Sequence, residues 1–398
     1  MTGSSHLMGT YRRAPVRFVA GTGCRLVDDA GRSYLDFLSG IAVTSLGHAH
    51  PVVAEALCSQ ASRLLHVSNL FENELAEPVA ALLDRLVGDG AEAGGQVFFA
   101  NSGAEANECA IKLARRFGGP GRHVVLSAYG GFHGRTLATL HATGQPDKHE
   151  HFQPLPEGFA HVAYGDLEAV ARAADPSRVA AVLVEAIQGE AGVVVPPAGY
   201  LQGLRALCDE RGILLILDEI QTGLARTGRW FAFQHEGIAP DIVSVAKALG
   251  NGVPVGACWA RAEIAAAFRP GDHGSTFGGQ PLALAAARAT LETMVALDAP
   301  ALAAARGAFL AERVRALEGV RLVRGAGLLR AAVLEDGLDA PAVAAAALSA
   351  GLVVNAPVPG VLRLAPPLIV TEQECTEAAA ILGAAIARVL SDGAGGAQ

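Results

Sequence analysis

Residues 213–219 read ILLILDE, an aliphatic run followed at once by two carboxylates. An uninterrupted aliphatic run predicts a strand buried on both faces, as in a parallel sheet covered by helices. Asp218 follows the run directly, and a carboxylate at the end of a buried strand needs a cation or hydrogen-bond donors. An aspartate that caps the next turn would occupy the same position. The run alone therefore predicts a buried parallel strand and assigns no chemical role to Asp218.

The apolar runs on either side of residues 213–217 alternate with helical patterns, which predicts a mostly parallel sheet in an α/β fold. Candidate strands are residues 97–100, 124–127, 179–184, 213–217, 242–245 and 255–259, and candidate helices are residues 104–117 and 199–211. From about residue 282 the pattern changes to long Ala/Leu/Arg helices with two short strand regions. We predict a large domain over residues 56–290 and a smaller domain that combines residues 1–55 with residues 291–398.

Composition excludes several classes of protein. The chain has 398 residues, 31 Lys+Arg and 39 Asp+Glu, for a net charge of -8, which argues against nucleic acid as a partner. Six cysteines without CxxC spacing indicate reduced thiols in a cytoplasmic protein. The amino terminus lacks the apolar core of a secretory signal. The uncharged run 340–362 contains prolines and glycines, so it predicts a short helix and a buried strand near residues 352–354 and no membrane span.

Lysine is rare in this chain, which has only Lys112, Lys148 and Lys247. Lys247 follows the predicted strand 242–245 almost directly. Burial of a lysine favours the neutral amine, and a neutral amine in a cleft is what Schiff-base chemistry requires. Lys112 lies in the middle of a predicted helix, and Lys148 lies in a polar run that predicts an exposed loop. Only Lys247 therefore fits a buried catalytic amine.

Two further strand ends carry residues suited to a ligand. Ser102, Gly103 and Ala104 begin a predicted helix after strand 97–100, where free backbone N–H groups can bind a phosphate, although an ordinary capped turn has the same pattern. Phe132 and Arg135 lie among glycines after strand 124–127, which fits a tight loop against a flat ligand with an arginine for a carboxylate. A core phenylalanine and a surface arginine are the alternative.

Metal binding is the weaker interpretation of the remaining polar residues. Glu185 and Glu190 follow strand 179–184 and could form a metal site or an acid/base pair, but no third ligand is near in sequence. The histidines lack a matching cysteine or carboxylate frame, so we predict structural roles for them and no metal. These histidines are His48, His50, His133, His149 and His151.

The motifs that contain these residues resemble those of the class III (ω-) aminotransferases, which use pyridoxal 5′-phosphate. The similarity runs nearly end to end and is greatest to the acetylornithine aminotransferases of arginine biosynthesis. It implies fold type I, with a seven-stranded mostly parallel sheet in the large domain and a smaller α+β domain. The similar segments are residues 35–43, 46–51, 98–108, 132–136, 217–223, 246–250, 274–279 and 362–368.

The resemblance also implies roles at the cofactor. Lys247 would form the internal aldimine and then move the proton between the substrate carbon and the cofactor. Asp218 would hold the pyridine nitrogen protonated, and Gln221 would hydrogen-bond the ring O3′. Phe132 and Ile220 would cover the two faces of the ring.

The phosphate and the subunit arrangement follow from the same resemblance. Backbone groups of Gly103 and Ala104, with Ser102 nearby, would bind the phosphate. Thr276 would reach the phosphate from the neighbouring subunit, so the resemblance implies a homodimer with shared active sites.

Substrate recognition is the last role that the resemblance implies. Arg363, paired with Glu190, would be released to bind the α-carboxylate of glutamate, which fits glutamate/2-oxoglutarate as one substrate pair. Arg135 would bind the carboxylate of N2-acetyl-L-ornithine, with Ser275 near its far end.

Other activities remain open at this point. Within the family these are ornithine, succinylornithine, 4-aminobutyrate and carrier-linked lysine aminotransferases, and a semialdehyde aminomutase, which does not need the arginine at 363. Outside catalysis, the chain could be a silent interaction protein on this fold or an unrelated phosphate-ligand binder. A zinc enzyme built on the histidine pairs is the remaining alternative.

Overall fold

The structure, a computed structural model, describes residues 6–395. The strands are β1 Phe18–Thr22, β2 Arg25–Asp28, β3 Ser33–Asp36, β4 Gly95–Ala100, β5 Val124–Ala128, β6 Phe159–Val162, β7 Val179–Glu185, β8 Leu214–Asp218, β9 Ile242–Val245, β10 Gly256–Arg261, β11 Val320–Ala326, β12 Leu329–Leu334, β13 Leu352–Val353, β14 Asn355–Val358 and β15 Val361–Leu364. The helices are α1 Ser39–Ala42, α2 Pro51–Ala61, α3 Ala76–Val87, α4 Gly103–Gly118, α5 Leu137–Ala142, α6 Leu167–Ala173, α7 Tyr200–Arg211, α8 Ala262–Ala265, α9 Pro281–Ala296, α10 Ala299–Arg315, α11 Ala340–Ser349 and α12 Glu372–Gly395.

The central sheet has seven strands in the order β4-β10-β9-β8-β7-β5-β6. Only β10 runs antiparallel to its neighbours in this sheet. Strands β7, β8 and β9 are buried along their whole length, which fits their mainly aliphatic sequences. The predicted α/β class with a mostly parallel seven-stranded sheet is confirmed.

Two parts of the strand prediction were incomplete. Strand β6 was not among the candidates, because His161 interrupts a short, half-buried edge strand. The chain after residue 282 has five strands instead of two regions. In β11 the exposed Arg321 and the half-buried Arg324 lie three residues apart, a spacing that also fits the Ala/Arg helices around it.

The amino-terminal strands share a sheet with the carboxyl-terminal part of the chain, in the order β1-β2-β3-β13. Leu352 of β13 pairs in parallel with Leu35 of β3. A further sheet has the order β11-β12-β15-β14. The predicted domain limits at residues 55/56 and 290/291 fall within α2 and α9, and they stay predictions.

Residues 340–362 fold as expected for a buried segment, with α11 followed by the short strand β13. Among residues 6–395, no single helix has both the length and the apolar composition needed to cross a membrane. The pair α9 and α10 passes that test only when both are taken together across a 68° bend.

Strand register brings the sites of interest to one edge of the central sheet. Asp218, at the end of β8, pairs with Glu185 at the end of β7 and with Ser244 near the end of β9. Lys247 follows Ser244 by three residues, in a short 3-10 turn that starts where β9 stops. The carboxyl ends of parallel strands therefore bring Asp218 and Lys247 to the same edge of the sheet.

Candidate active site

A cavity of about 400 Å³ opens at this edge of the sheet. Its walls include most of the residues predicted for the cofactor, contributed by the start of α4, the loop after β5 and the segments after β8 and β9. The predicted site residues that line it are Ser102, Gly103, Ala104, Phe132, Arg135, Glu190, Asp218, Ile220, Gln221 and Lys247.

Lys247 supplies an unpaired amine to this cavity. Among the described residues its Nζ has neither a hydrogen bond nor an ion pair within 4 Å, although Glu190 and Asp218 line the same space. Burial lowers the pKa of Lys247 from 10.5 to about 8. Its backbone has a φ of 32°, which is unusual for a residue other than glycine. The strain therefore lies in the backbone at Lys247, where the turn after β9 begins.

Asp218 is fixed by three hydrogen-bond donors. Its Oδ2 accepts a hydrogen bond from Asn107 Nδ2 at 2.8 Å and contacts His133 Nδ1, also at 2.8 Å. Its Oδ1 accepts from the backbone N–H of Ile220 at 3.1 Å. The side chain is only 3% exposed. These donors offset the cost of burying an ionised carboxylate and leave its orientation fixed.

His133 and Asn107 hold the side chain of Asp218 in place, a role that sequence reasoning did not propose. Asn107 Nδ2 also donates to the backbone carbonyl of His133, at 2.8 Å, so the two side chains form one buried network with Asp218. A signal was present, because both residues lie in motifs next to strand ends. Neither motif indicates that Asn107 of α4 and His133 of the loop after β5 meet at Asp218, at the end of β8.

The start of α4 forms one end of the cavity. Ser102 caps the helix, and its Oγ accepts from the backbone N–H of Glu105 at 3.2 Å. A Cβ added to Gly103 would lie 2.6 Å from the side chain of Ile220, so helix and loop approach closely only because residue 103 is glycine. Free N–H groups at the start of a 16-residue helix suit a phosphate.

Glu185 joins two walls of the cavity. Its Oε1 accepts from the backbone N–H of Phe132 at 2.9 Å, and its Oε2 accepts from that of Gly189 at 3.0 Å. Burial, together with the charge of Asp218, raises the pKa of Glu185 to about 7. The carboxylate therefore spans two loops, and the metal and acid/base interpretations of Glu185 are not needed.

Glu190, which lines the cavity, forms an ion pair with Arg363, which lies behind the lining residues, with 2.6 Å between Oε1 and Nη1. Arg363 is fully buried, and it also donates to Gln221 Oε1 at 3.1 Å and to Asn355 Oδ1 at 3.2 Å. Its Nη2 is buried without a hydrogen-bond partner among the described residues. Burial alone would raise the pKa of Glu190, but the charge and hydrogen bond of Arg363 outweigh it, and the pKa is lowered.

Ser275 and Thr276 are not brought into this cavity. They line a separate, larger depression with residues 66–77 and 97–99. Ser275 Oγ accepts from the backbone N–H of Gly278 at 2.9 Å. Thr276 and the neighbouring Phe277 are exposed. Their predicted roles at the substrate and at a neighbouring subunit's phosphate stay predictions.

The other lysines and the histidine pairs have different environments. Lys112 is exposed on α4, as predicted, and donates to the backbone carbonyl of Asp272 at 2.8 Å. Lys148 is half-buried, so the prediction of an exposed loop was wrong for this residue. His149 is buried and its Nε2 bonds the carbonyl of Thr143 at 2.7 Å. No group of three or more His, Cys, Asp or Glu residues among those described could hold a metal ion.

Lys247, an amine with no partner among the described residues, shares a cavity with the donor-fixed carboxyl group of Asp218 at the carboxyl ends of a parallel sheet, an arrangement found in α/β enzymes. The model of the family described as aminotransferase class-III matches residues 9–386. The acetylornithine aminotransferase of Corynebacterium efficiens is 48% identical over 388 residues, which cover 96% of this chain and 95% of that protein. The acetylornithine aminotransferase of Methanopyrus kandleri is 50% identical over 385 residues, which cover 95% and 96%.

A solved structure of the ornithine aminotransferase from Toxoplasma gondii, with partial occupancy of PLP at its active site, has a TM-score of 0.91. It is 35% identical and covers 97% of this chain and 93% of that one. The chain belongs to the class-III aminotransferases, and the family that its motifs predicted is confirmed.

Proposed function

We propose that the protein is an acetylornithine aminotransferase of arginine biosynthesis with pyridoxal 5′-phosphate as its cofactor. It transfers the amino group of N2-acetyl-L-ornithine to 2-oxoglutarate and yields N-acetylglutamate 5-semialdehyde and L-glutamate. The observation that carries the proposal is the unpaired amine of Lys247 in the cavity that Asp218 lines. Relatives of that activity, about half identical over nearly the whole chain, support the choice of substrate.

The residues of the cavity fit this cofactor. The start of α4 offers N–H groups to the phosphate, Phe132 and Ile220 line the space for the ring, and Asp218 lies deep in the cavity with its orientation fixed. A dedicated carboxylate of this kind matches a pyridine nitrogen that must stay protonated. When bound, pyridoxal phosphate supplies an electron-withdrawing ring that stabilises negative charge on the substrate carbon.

Each nearby side chain has a separate part in the mechanism. Asp218 would hold the ring nitrogen, because Asn107, His133 and the backbone N–H of Ile220 fix the orientation of its carboxyl group. Lys247, with its pKa lowered to about 8, is neutral in about a tenth of the molecules at pH 7, far more than an ordinary lysine, and its amine would take the proton from the substrate carbon. Gln221 lies between Arg363 and the cavity and donates toward Glu190 at 3.5 Å.

The pair of Arg363 and Glu190 lets one site accept two acids of different shape. While the pair is closed, Glu190 neutralises the arginine, and an uncharged stretch of substrate can lie against it. A dicarboxylate needs a positive charge at that position, and Arg363 can provide it once Glu190 moves away. The partly exposed Glu190 is the member that can move, because Arg363 is fully buried.

The cofactor proposal is tested by absorbance spectroscopy. We expect purified protein to show the absorbance of a bound pyridoxal Schiff base. Borohydride reduction should remove this absorbance and leave the pyridoxal group covalently attached to Lys247. Lys247→Ala should lose activity by several orders of magnitude. If the protein carries no pyridoxal phosphate and Lys247→Ala resembles the parent, a silent interaction protein becomes the better description.

The donor is tested by steady-state turnover with each amine. We expect the largest kcat/KM with N2-acetyl-L-ornithine. Ornithine is the second candidate, because the similar Toxoplasma gondii structure is an ornithine aminotransferase. Faster use of ornithine, succinylornithine, 4-aminobutyrate or a carrier-linked lysine would replace acetylornithine as the substrate.

We also propose a homodimer with shared active sites in the cytoplasm. Large apolar side chains at Leu70, Phe71 and Phe277 are between 66% and 87% exposed beside Thr276, which supports a subunit contact there. The six free cysteines support a reducing compartment. Light scattering gives the mass in solution, and a mixture of Lys247→Ala with Thr276→Val chains should regain activity if sites are shared.

A further inference from the structure

A second cavity, of about 450 Å³, adjoins the candidate active site. It shares Phe132, Arg135 and Glu190 with the first cavity and adds Lys148. A substrate that reacts at Lys247 and is too long for the first cavity would extend into the second cavity. The residues of the second cavity therefore face the end of the substrate that does not react.

The position of Lys148 is fixed by its own turn and by a glutamine. Its backbone N–H bonds the carbonyl of Gln145 at 3.0 Å, and its ammonium group donates to Gln145 Oε1. Gln145 Nε2 in turn donates to the carbonyl of Gly131 at 3.1 Å, in the loop that carries Arg135. Lys148 is thus attached to the same loop as the arginine. Two of its three N–H donors remain for a ligand.

Neither cation has an ion-pair partner among residues 6–395. Among the described residues, no carboxylate lies within 4.0 Å of the charged groups of Lys148 or Arg135. Arg135 instead lies over the ring of Phe132, 5.6 Å from its centroid. Glu190, the carboxylate of this cavity, is already paired with Arg363. Burial and then the charge of Arg135 lower the pKa of Lys148 and outweigh the opposing charges of Glu190 and Asp147, so the two cations are close enough to repel each other.

We propose that Lys148 is a specificity-determining residue, which forms with Arg135 a two-cation site for the substrate α-carboxylate and disfavours donors that carry a free α-ammonium group. This inference rests on the proposed function. In N2-acetyl-L-ornithine the α-nitrogen is an uncharged amide, whereas in ornithine it is an ammonium group on the same carbon as the carboxylate. A carboxylate bound by both cations brings that ammonium group next to Lys148, and like charges at short range reduce affinity.

The test compares kcat/KM for acetylornithine and for ornithine in four proteins. These are the wild type, Lys148→Met, Lys148→Arg and the control Lys112→Met, which removes an equal charge from an exposed position on α4. We expect Lys148→Met to lower the ratio of acetylornithine to ornithine about tenfold, which corresponds to about 1.4 kcal/mol. Lys148→Arg and Lys112→Met should keep the wild-type ratio, and melting temperatures show that all four proteins are folded.

The outcomes separate this inference from the proposed function. An unchanged ratio in Lys148→Met, or an equal loss with both donors, overturns the role of Lys148 and leaves the enzyme's function intact. A loss in Lys112→Met as large as in Lys148→Met overturns it as well, because the effect would then be one of net charge. Failure of the wild type to use acetylornithine overturns both proposals.

Discussion

At the scale of single residues, the hydrogen bond between His133 and Asp218 can be tested by substitution of His133. Replacing His133 with leucine removes one donor from a buried carboxylate, and a hydrogen bond to a charged group contributes about 1.5–3 kcal/mol. We expect kcat to fall about tenfold to a hundredfold. His133→Asn keeps a donor near the position of Nδ1 and should retain most of the activity. Equal loss in both variants would show that the ring's packing matters and its hydrogen bond does not.

A second prediction concerns Lys247, because its lowered pKa makes the free energy of unfolding depend on pH. The folded pKa of about 8 lies below the ordinary 10.5, so the unfolded chain binds more protons between those values and stability rises with pH across that window. Lys247→Met should therefore stabilise the cofactor-free protein at neutral pH, by at most about 3 kcal/mol. The difference should shrink above pH 8, and denaturant unfolding at several pH values measures it. A difference that is constant with pH would contradict the shifted pKa.

At the scale of elements, Glu185 connects the end of β7 to two loops. Glu185→Gln keeps one acceptor but turns an N–H donor toward the other backbone N–H, so the walls of the cavity should separate. We expect cofactor affinity to fall about tenfold, measured by absorbance during dialysis. Glu219→Gln is the matched control, because burial raises the pKa of Glu219 to about 7 as well, yet this side chain bonds Thr222 and the N–H of Phe233. It should lower the melting temperature without releasing cofactor.

Local sequence predicted those parts of the site that lie at the ends of apolar strands. Lys247 and Asp218 were found because a charge that follows a buried strand is conspicuous. The contact of Asp218 with Asn107 joins residues 111 positions apart, and no local pattern encodes it. The prediction for Lys148 was wrong because its polar neighbours predict exposure, whereas a hydrogen bond to Gln145 holds it at the wall of a cavity.

At the scale of the whole molecule, Arg226 joins three distant parts of the chain. Its fully buried guanidinium donates to the carbonyls of Leu328 and Pro366 and to Ser45 Oγ, at 3.2, 2.5 and 3.1 Å. Arg226→Leu leaves these acceptors buried without a donor, at about 1–3 kcal/mol each for those that water cannot reach. We expect a melting temperature lower by several degrees, and Arg226→Lys should restore little because a single ammonium group cannot span the acceptors. Arg229→Leu, at an exposed ion pair with a 3.7 Å separation, is the control and should change stability by less than about 1 kcal/mol. If both leucine variants unfold alike, Arg226 does not hold the three segments together.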